Sequence, residues 1–127
     1  MREENVKEVA PSSRQFFVNG MSGHNAVYSI NQVNNSDVYL IERTYDRPAI
    51  KVLIADIYIA GMADIVELCR LYTDIDCIVL VGFYNRYSRD AKNHAKLCGV
   101  GLYTNSEFFG AVNCTGKALL NYVRKEQ

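Results

Sequence analysis

The chain has 127 residues, with 14 basic and 14 acidic side chains balancing to zero net charge. That length fits one domain with a real core, and the charge balance offers no global attraction to nucleic acid or to an acidic membrane surface. Apolar residues make up 49% of the chain, yet no stretch nears the roughly 20 needed to span a bilayer, which excludes wholesale disorder and a transmembrane helix.

The chain opens on a polar segment, residues 1–22, in which a short helix is expected around "SSRQFFVNG". "NAVYSINQV" (25–33) and "DVYLIERTY" (37–45) read as strands, rich in Val, Ile and Tyr and separated by the polar turn "NNS". "DRP" (46–48) marks a second turn, and "AIKVLIADIY" (49–58) follows as a strand buried on both faces with Asp56 near its end. "MADIVELCRLY" (62–72) sets Met62, Ile65, Cys69 and Tyr72 on one helical face, and "CIVLVGFY" (77–84) is another buried strand. Ser88 caps a helix through "RDAKNHAKLC", with Ala91, Ala95 and Cys98 turned inward and Gly99 as its stop. "VGLYT" (100–104) is a short strand, and Thr104 with Glu107 forms a capping box for "SEFFGAVN". "GKALLNYVRKEQ" (116–127) closes the chain as a helix or tail. The order β-β-β-α-β-α-β-α predicts an α/β fold, in which a mixed sheet of an antiparallel hairpin followed by βαβ units is flanked by helices. The domain is expected over 23–113, with 1–22 and 114–127 as flanking segments.

A turn centred between Asp46 and Arg47 would pair Glu42 with Lys51, Ile41 with Val52, Tyr39 with Ile54 and Asp37 with Asp56. That register joins one pair of opposite charges and a matched apolar row. It also makes Asp37 and Asp56 cross-strand neighbours on one face. Like charges so placed destabilise a sheet and call for compensation, which a divalent cation held by both carboxylates would supply.

An acid at the start of one strand and a second near the end of the next, followed by helix, strand, helix and strand, resembles the restriction-endonuclease-like (PD-(D/E)XK) superfamily. "IVLVGFYNRYSRDAKNHAKLCGVGLYTNSEFFGAV" (78–112) is similar to the closing unit of its Mrr-like branch. The resemblance implies a magnesium ion held by Asp37 and Asp56 and a catalytic lysine two residues after the second acid. Tyr58 stands at that lysine position and carries no charge at neutral pH, so the resemblance implies a degenerate active site. Lys51 points to the opposite face of its strand, leaving Arg70 as the substitute cation to look for.

"ADIYIAGMAD" (55–64) also resembles the phosphoacceptor loop of response-regulator receivers. The acidic pair, hydroxyl residue and lysine that receivers require have no counterparts in "FFVNGMSGHN", Val81–Gly82 and Asn105, so a receiver-like signalling domain is the weaker alternative. Four cysteines, Cys69, Cys77, Cys98 and Cys114, lack CxxC spacing and read as reduced thiols of a cytoplasmic protein. His24 and His94 read as solvated side chains, and the glycines of "NGMSG" match no phosphate-binding loop.

Residues 85–96 concentrate Arg86, Arg89, Lys92 and Lys96. On a helix starting after Ser88, the last three stack along one face, a candidate nucleic-acid-binding surface with Tyr84 and Tyr87 beside it. Two functions are therefore expected. One is a nuclease-like domain without efficient catalysis that binds nucleic acid or protein, as a homodimer or in a larger assembly. The other is an active magnesium-dependent endonuclease.

Overall fold

Alternation along two central strands builds this fold, because each turns successive side chains into separate cores. The computed structural model describes residues 6–124. Its strands are β1 (Val6–Lys7), β2 (Val27–Gln32), β3 (Val38–Arg43), β4 (Ile50–Ile57), β5 (Ile59–Ala60), β6 (Cys77–Leu80), β7 (Arg86–Tyr87) and β8 (Gly101–Thr104). Its helices are α1 (Pro11–Ser22), α2 (Met62–Leu71), α3 (Arg89–Leu97), α4 (Asn105–Ala111) and α5 (Gly116–Leu120). The main sheet runs β2-β3-β4-β6-β8, with β1 added against the end of β4. Pairing is antiparallel from β2 to β4 and parallel from β4 through β6 to β8. This is the mixed α/β architecture that the order of elements predicts.

Tyr39 and Ile41 of β3 and Val52 and Ile54 of β4 face one core, closed by Phe17 and Met21 of α1 and Phe108 of α4. Val38, Leu53, Ala55 and Ile57 face the other, closed by Ile65 of α2 and by Ala91 and Ala95 of α3. The flanking segments join this core: α1 contributes Phe17 and Met21, and α5 contributes Leu119. Arg43, buried at the end of β3, knots the first core to the chain's later part. Its guanidinium donates to the carbonyls of Pro48, Val112 and Cys114 at 2.8, 3.0 and 2.6 Å.

The expected caps form. Ser88 Oγ accepts from the Ala91 N–H at 3.1 Å, and Thr104 and Glu107 exchange side-chain bonds with each other's amides. Gly99 takes a φ of +77°, the left-handed geometry that ends α3. The final helix is shorter than expected and ends at Leu120; its last predicted residues, 125–127, lie outside the described ones. The strand expected over 77–84 ends at Leu80, after which the chain leaves the sheet and exposes Phe83 and Tyr84. Among the described residues no helix is long and apolar enough to cross a membrane.

Candidate functional site

The β3–β4 register differs from the expected one by two residues. Tyr45 and Asp46 both adopt positive φ, 59° and 65°, and the Arg47 N–H donates to the Thr44 carbonyl at 3.3 Å. Two left-handed residues at the centre of a hairpin are the geometry of a type I′ turn, which matches strand twist. The turn is thus centred on Tyr45–Asp46, and Tyr39 pairs with Val52, Leu40 with Lys51 and Ile41 with Ile50. A slip of two preserves the faces but breaks the cross-strand pairing of Asp37 with Asp56. The Asp37 carbonyl instead accepts from the Ile54 N–H at 2.9 Å.

Asp37 has a counter-charge supplied by the protein, and Asp56 a hydrogen-bonding amide. Arg14 of α1 reaches Asp37 Oδ1 with Nη2 at 2.5 Å and donates from Nη1 to the Tyr39 hydroxyl at 2.9 Å. These bonds, Asp37's foremost, raise the guanidinium pKa and hold it charged. Asp56 lies opposite Lys7 in the β1–β4 pairing, so the two side chains share a face. Asp56 Oδ1 also accepts from Asn85 Nδ2 at 3.1 Å, while Asn85 Oδ1 accepts from the N–H groups of Ile57 and Gly82 at 3.1 and 2.9 Å. Asn85 therefore fastens the loop after β6 to the end of β4.

Tyr58 is exposed just after β4, and the Arg86 guanidinium sits 5.9 Å from its ring centroid. Arg70 is not the substitute cation: it lies exposed on α2, bonded to Glu67 at 2.7 Å. Lys51 is bonded to Asp74 at 2.6 Å. Among the described residues no group of three or more His, Cys, Asp or Glu side chains is placed to hold a metal ion. With Asp37 already in an ion pair, the arranged donors do not fit a magnesium site, which takes octahedral oxygen ligands.

Beside Asn85 opens a cleft of about 650 Å³ at the C-terminal ends of β6 and β8. Ser12 and Phe16 of α1, Phe83 and Asn85 of the loop, and Thr104 and Asn105 at the start of α4 contribute to its lining. No residue of the lining is charged. Open α/β sheets place their ligand crevices at this end of the strands.

The basic segment is only partly a surface. Arg86 and Arg89 are exposed and Lys96 is half-buried, but Lys92 is 6% exposed. Lys92 follows Ala91 on the buried flank of α3, and its stem is long enough to bury the ammonium under the sheet edge. There Nζ donates to the carbonyls of Leu102 and Tyr122 at 2.5 and 3.1 Å, 4.5 Å from the Tyr103 ring centroid. Lys92 is therefore a structural tie for the C-terminal segment and not a phosphate contact. Burial pushes its pKa down to about 8 from 10.5, against a smaller opposing pull from Glu107.

Between those two values the unfolded chain binds a proton that the folded one lacks, so stability rises with pH. From pH 8 to 9 the unfolding free energy of the wild type should gain about 1 kcal/mol on that of Lys92→Met. Urea melts at the two pH values check this, and a constant difference would mean the ammonium is not desolvated.

His24 is held and not solvated. Its Nδ1 accepts from the Ala26 N–H at 3.0 Å, so Nε2 carries the proton and donates to the Phe109 carbonyl at 2.7 Å. His94 lies 3.6 Å from the Cys98 sulfur, and all four cysteines are free thiols. Arg14, Lys7 and Asn85 were missed by sequence reasoning: each acts across long sequence separations, with no local period to mark it. Comparison with family models, with curated proteins and with solved structures yields no match.

Proposed function

We propose that this chain is a nuclease-like α/β domain that binds nucleic acid and has little or no metal-dependent cleavage, the first of its two acids being neutralised by the protein's own arginine. The Arg14–Asp37 ion pair carries this reading. A guanidinium in contact with the first acid supplies the counter-charge that a divalent ion would have to displace, and two bonded partners fix it there. Tyr58 at the position of the family lysine supports the same conclusion, because a neutral phenol cannot stabilise a developing oxyanion as a cation does. The order of elements agrees with the resemblance to restriction-endonuclease-like proteins. The exposed Arg86 of β7 and Arg89 at the start of α3 supply cations for phosphates.

A second reading, a magnesium-dependent nuclease, is favoured by one observation: Lys7 lies directly across from Asp56 and so brings an amine to the second acid's face of the sheet. One assay separates the two. DNA and RNA are incubated with the purified protein in magnesium, manganese or EDTA, beside a thermal melt in each. Losing a positioned electrostatic stabiliser costs on the order of 10²–10³ in rate, so metal-dependent cleavage is expected to be weak or absent. The melting temperature is expected to be unchanged by magnesium in the wild type, and a rise would show that a folded cation site exists. Robust turnover that is abolished by both Asp56→Asn and Lys7→Ala would establish the nuclease instead.

A further inference from the structure

We infer that the cleft between α1 and α4 accepts an unstacked base of single-stranded nucleic acid, with Phe16 and Phe83 as its stacking walls. This rests on the nucleic-acid reading above and narrows it to one class of ligand. Phe83 is 98% exposed and Phe16 is 62% exposed, both on the cleft, and Tyr84 beside Phe83 is 77% exposed. Rings of this kind bury 150–250 Å² in an ordinary fold, so two left in water on the cleft, with a third beside Phe83, form a surface that gains by being covered. The rings of Phe83 and Tyr84 lie 5.6 Å apart, a preformed platform on the loop that Asn85 fastens.

The occupant follows from charge, size and polarity. A volume near 650 Å³ lies within the range of small-ligand sites and accommodates one base. No carboxylate lines the cleft to repel a phosphate, and Arg86 and Arg89 follow within four residues of Asn85 to take the backbone. The lining offers the neutral hydroxyls of Ser12, Ser13 and Ser106 and the amide of Asn105, groups that match the mixed donors and acceptors of a base edge. Asn105 Oδ1 is buried without a hydrogen-bond partner, so that amide has capacity its own protein does not use. A base paired and stacked inside a duplex cannot enter such a cleft, whereas an unpaired one stacks on aromatic faces at little cost.

The test is fluorescence anisotropy of a labelled single strand and of the duplex of the same sequence at low salt. The proteins are the wild type, Phe83→Ala and Arg86→Ala/Arg89→Ala, each verified as folded by its melting curve. The single strand is expected to bind more tightly than the duplex. Phe83→Ala should weaken the single strand by about fivefold or more and leave the duplex unchanged, while the arginine variant weakens both. A single-strand affinity unchanged by Phe83→Ala overturns the inference, and the nucleic-acid reading survives if duplex or strand still binds in a salt-dependent way. Absence of binding to either at low salt overturns both.

Discussion

Truncating Phe17 to alanine is expected to lower the unfolding free energy by about 3–5 kcal/mol, enough to leave a domain of ordinary stability marginally folded or unfolded. The ring is fully buried between Tyr39, edge-on at 5.9 Å, and Phe108, tilted at 6.1 Å. It is the point at which α1 is clamped to the sheet and to α4. Its loss removes a large transfer term and opens a cavity that three separate elements cannot easily close. Phe16, its neighbour in sequence, is exposed, and Phe16→Ala should stay within about 0.5 kcal/mol of the wild type. Denaturant melts of the two variants check both values. Equal, small losses would mean that α1 does not contribute to the core. Arg14 and Ser12 ride on the same helix, so a Phe17 variant that still folds should also lose the counter-charge on Asp37.

Gly82→Ala is expected to cost roughly 3 kcal/mol, and for a different reason. A Cβ there would lie 2.7 Å from Asn85 Cγ and closer still to its Nδ2 and to the Asp56 carboxylate. The Asn85 side chain would have to leave, forfeiting two bonds from backbone amides worth about 1 kcal/mol each and a stronger one to a carboxylate. In a domain of this length that is a melting-temperature drop on the order of 10 °C. Asn85→Ala breaks the same three bonds, so the double variant should be little worse than either single one. Additive losses in that cycle would show that the cost at Gly82 comes from the clash with the Asp56 carboxylate and not through Asn85.

Legibility in the sequence followed the range of the signal. Local features read correctly: the caps at Ser88 and Thr104, the stop at Gly99, the two-faced burial of "AIKVLIADIY" and the order of the elements. Strand parity was also legible, so Asp37 and Asp56 do occupy one face of the sheet. Register was not, because the turn's left-handed residues are Tyr45 and Asp46, and tyrosine carries no turn signal, while "DRP", which begins at Asp46, draws the turn one residue too far on. Lys92 misled because a long aliphatic stem lets a charged residue sit on a buried helix flank and bond backbone carbonyls that no sequence pattern marks. β1 is too short to show a period, and so the residue opposite Asp56 went unseen.

The two acids also differ in how firmly their surroundings are held. Asp37 is held by a residue on a twelve-residue helix anchored in the core, whereas the residue facing Asp56 across the sheet, Lys7, sits on a two-residue strand whose own side chains are exposed. A two-residue pairing with exposed side chains opens at far lower free energy than the global unfolding that releases α1. Amide hydrogens in the β1–β4 pairing should therefore exchange orders of magnitude faster than those of Leu53 or Val79 in mid-sheet. In those open intervals Asp56 faces solvent with only Asn85 attached. Asp56, half-buried while β1 is paired, is then open to water on that side as well.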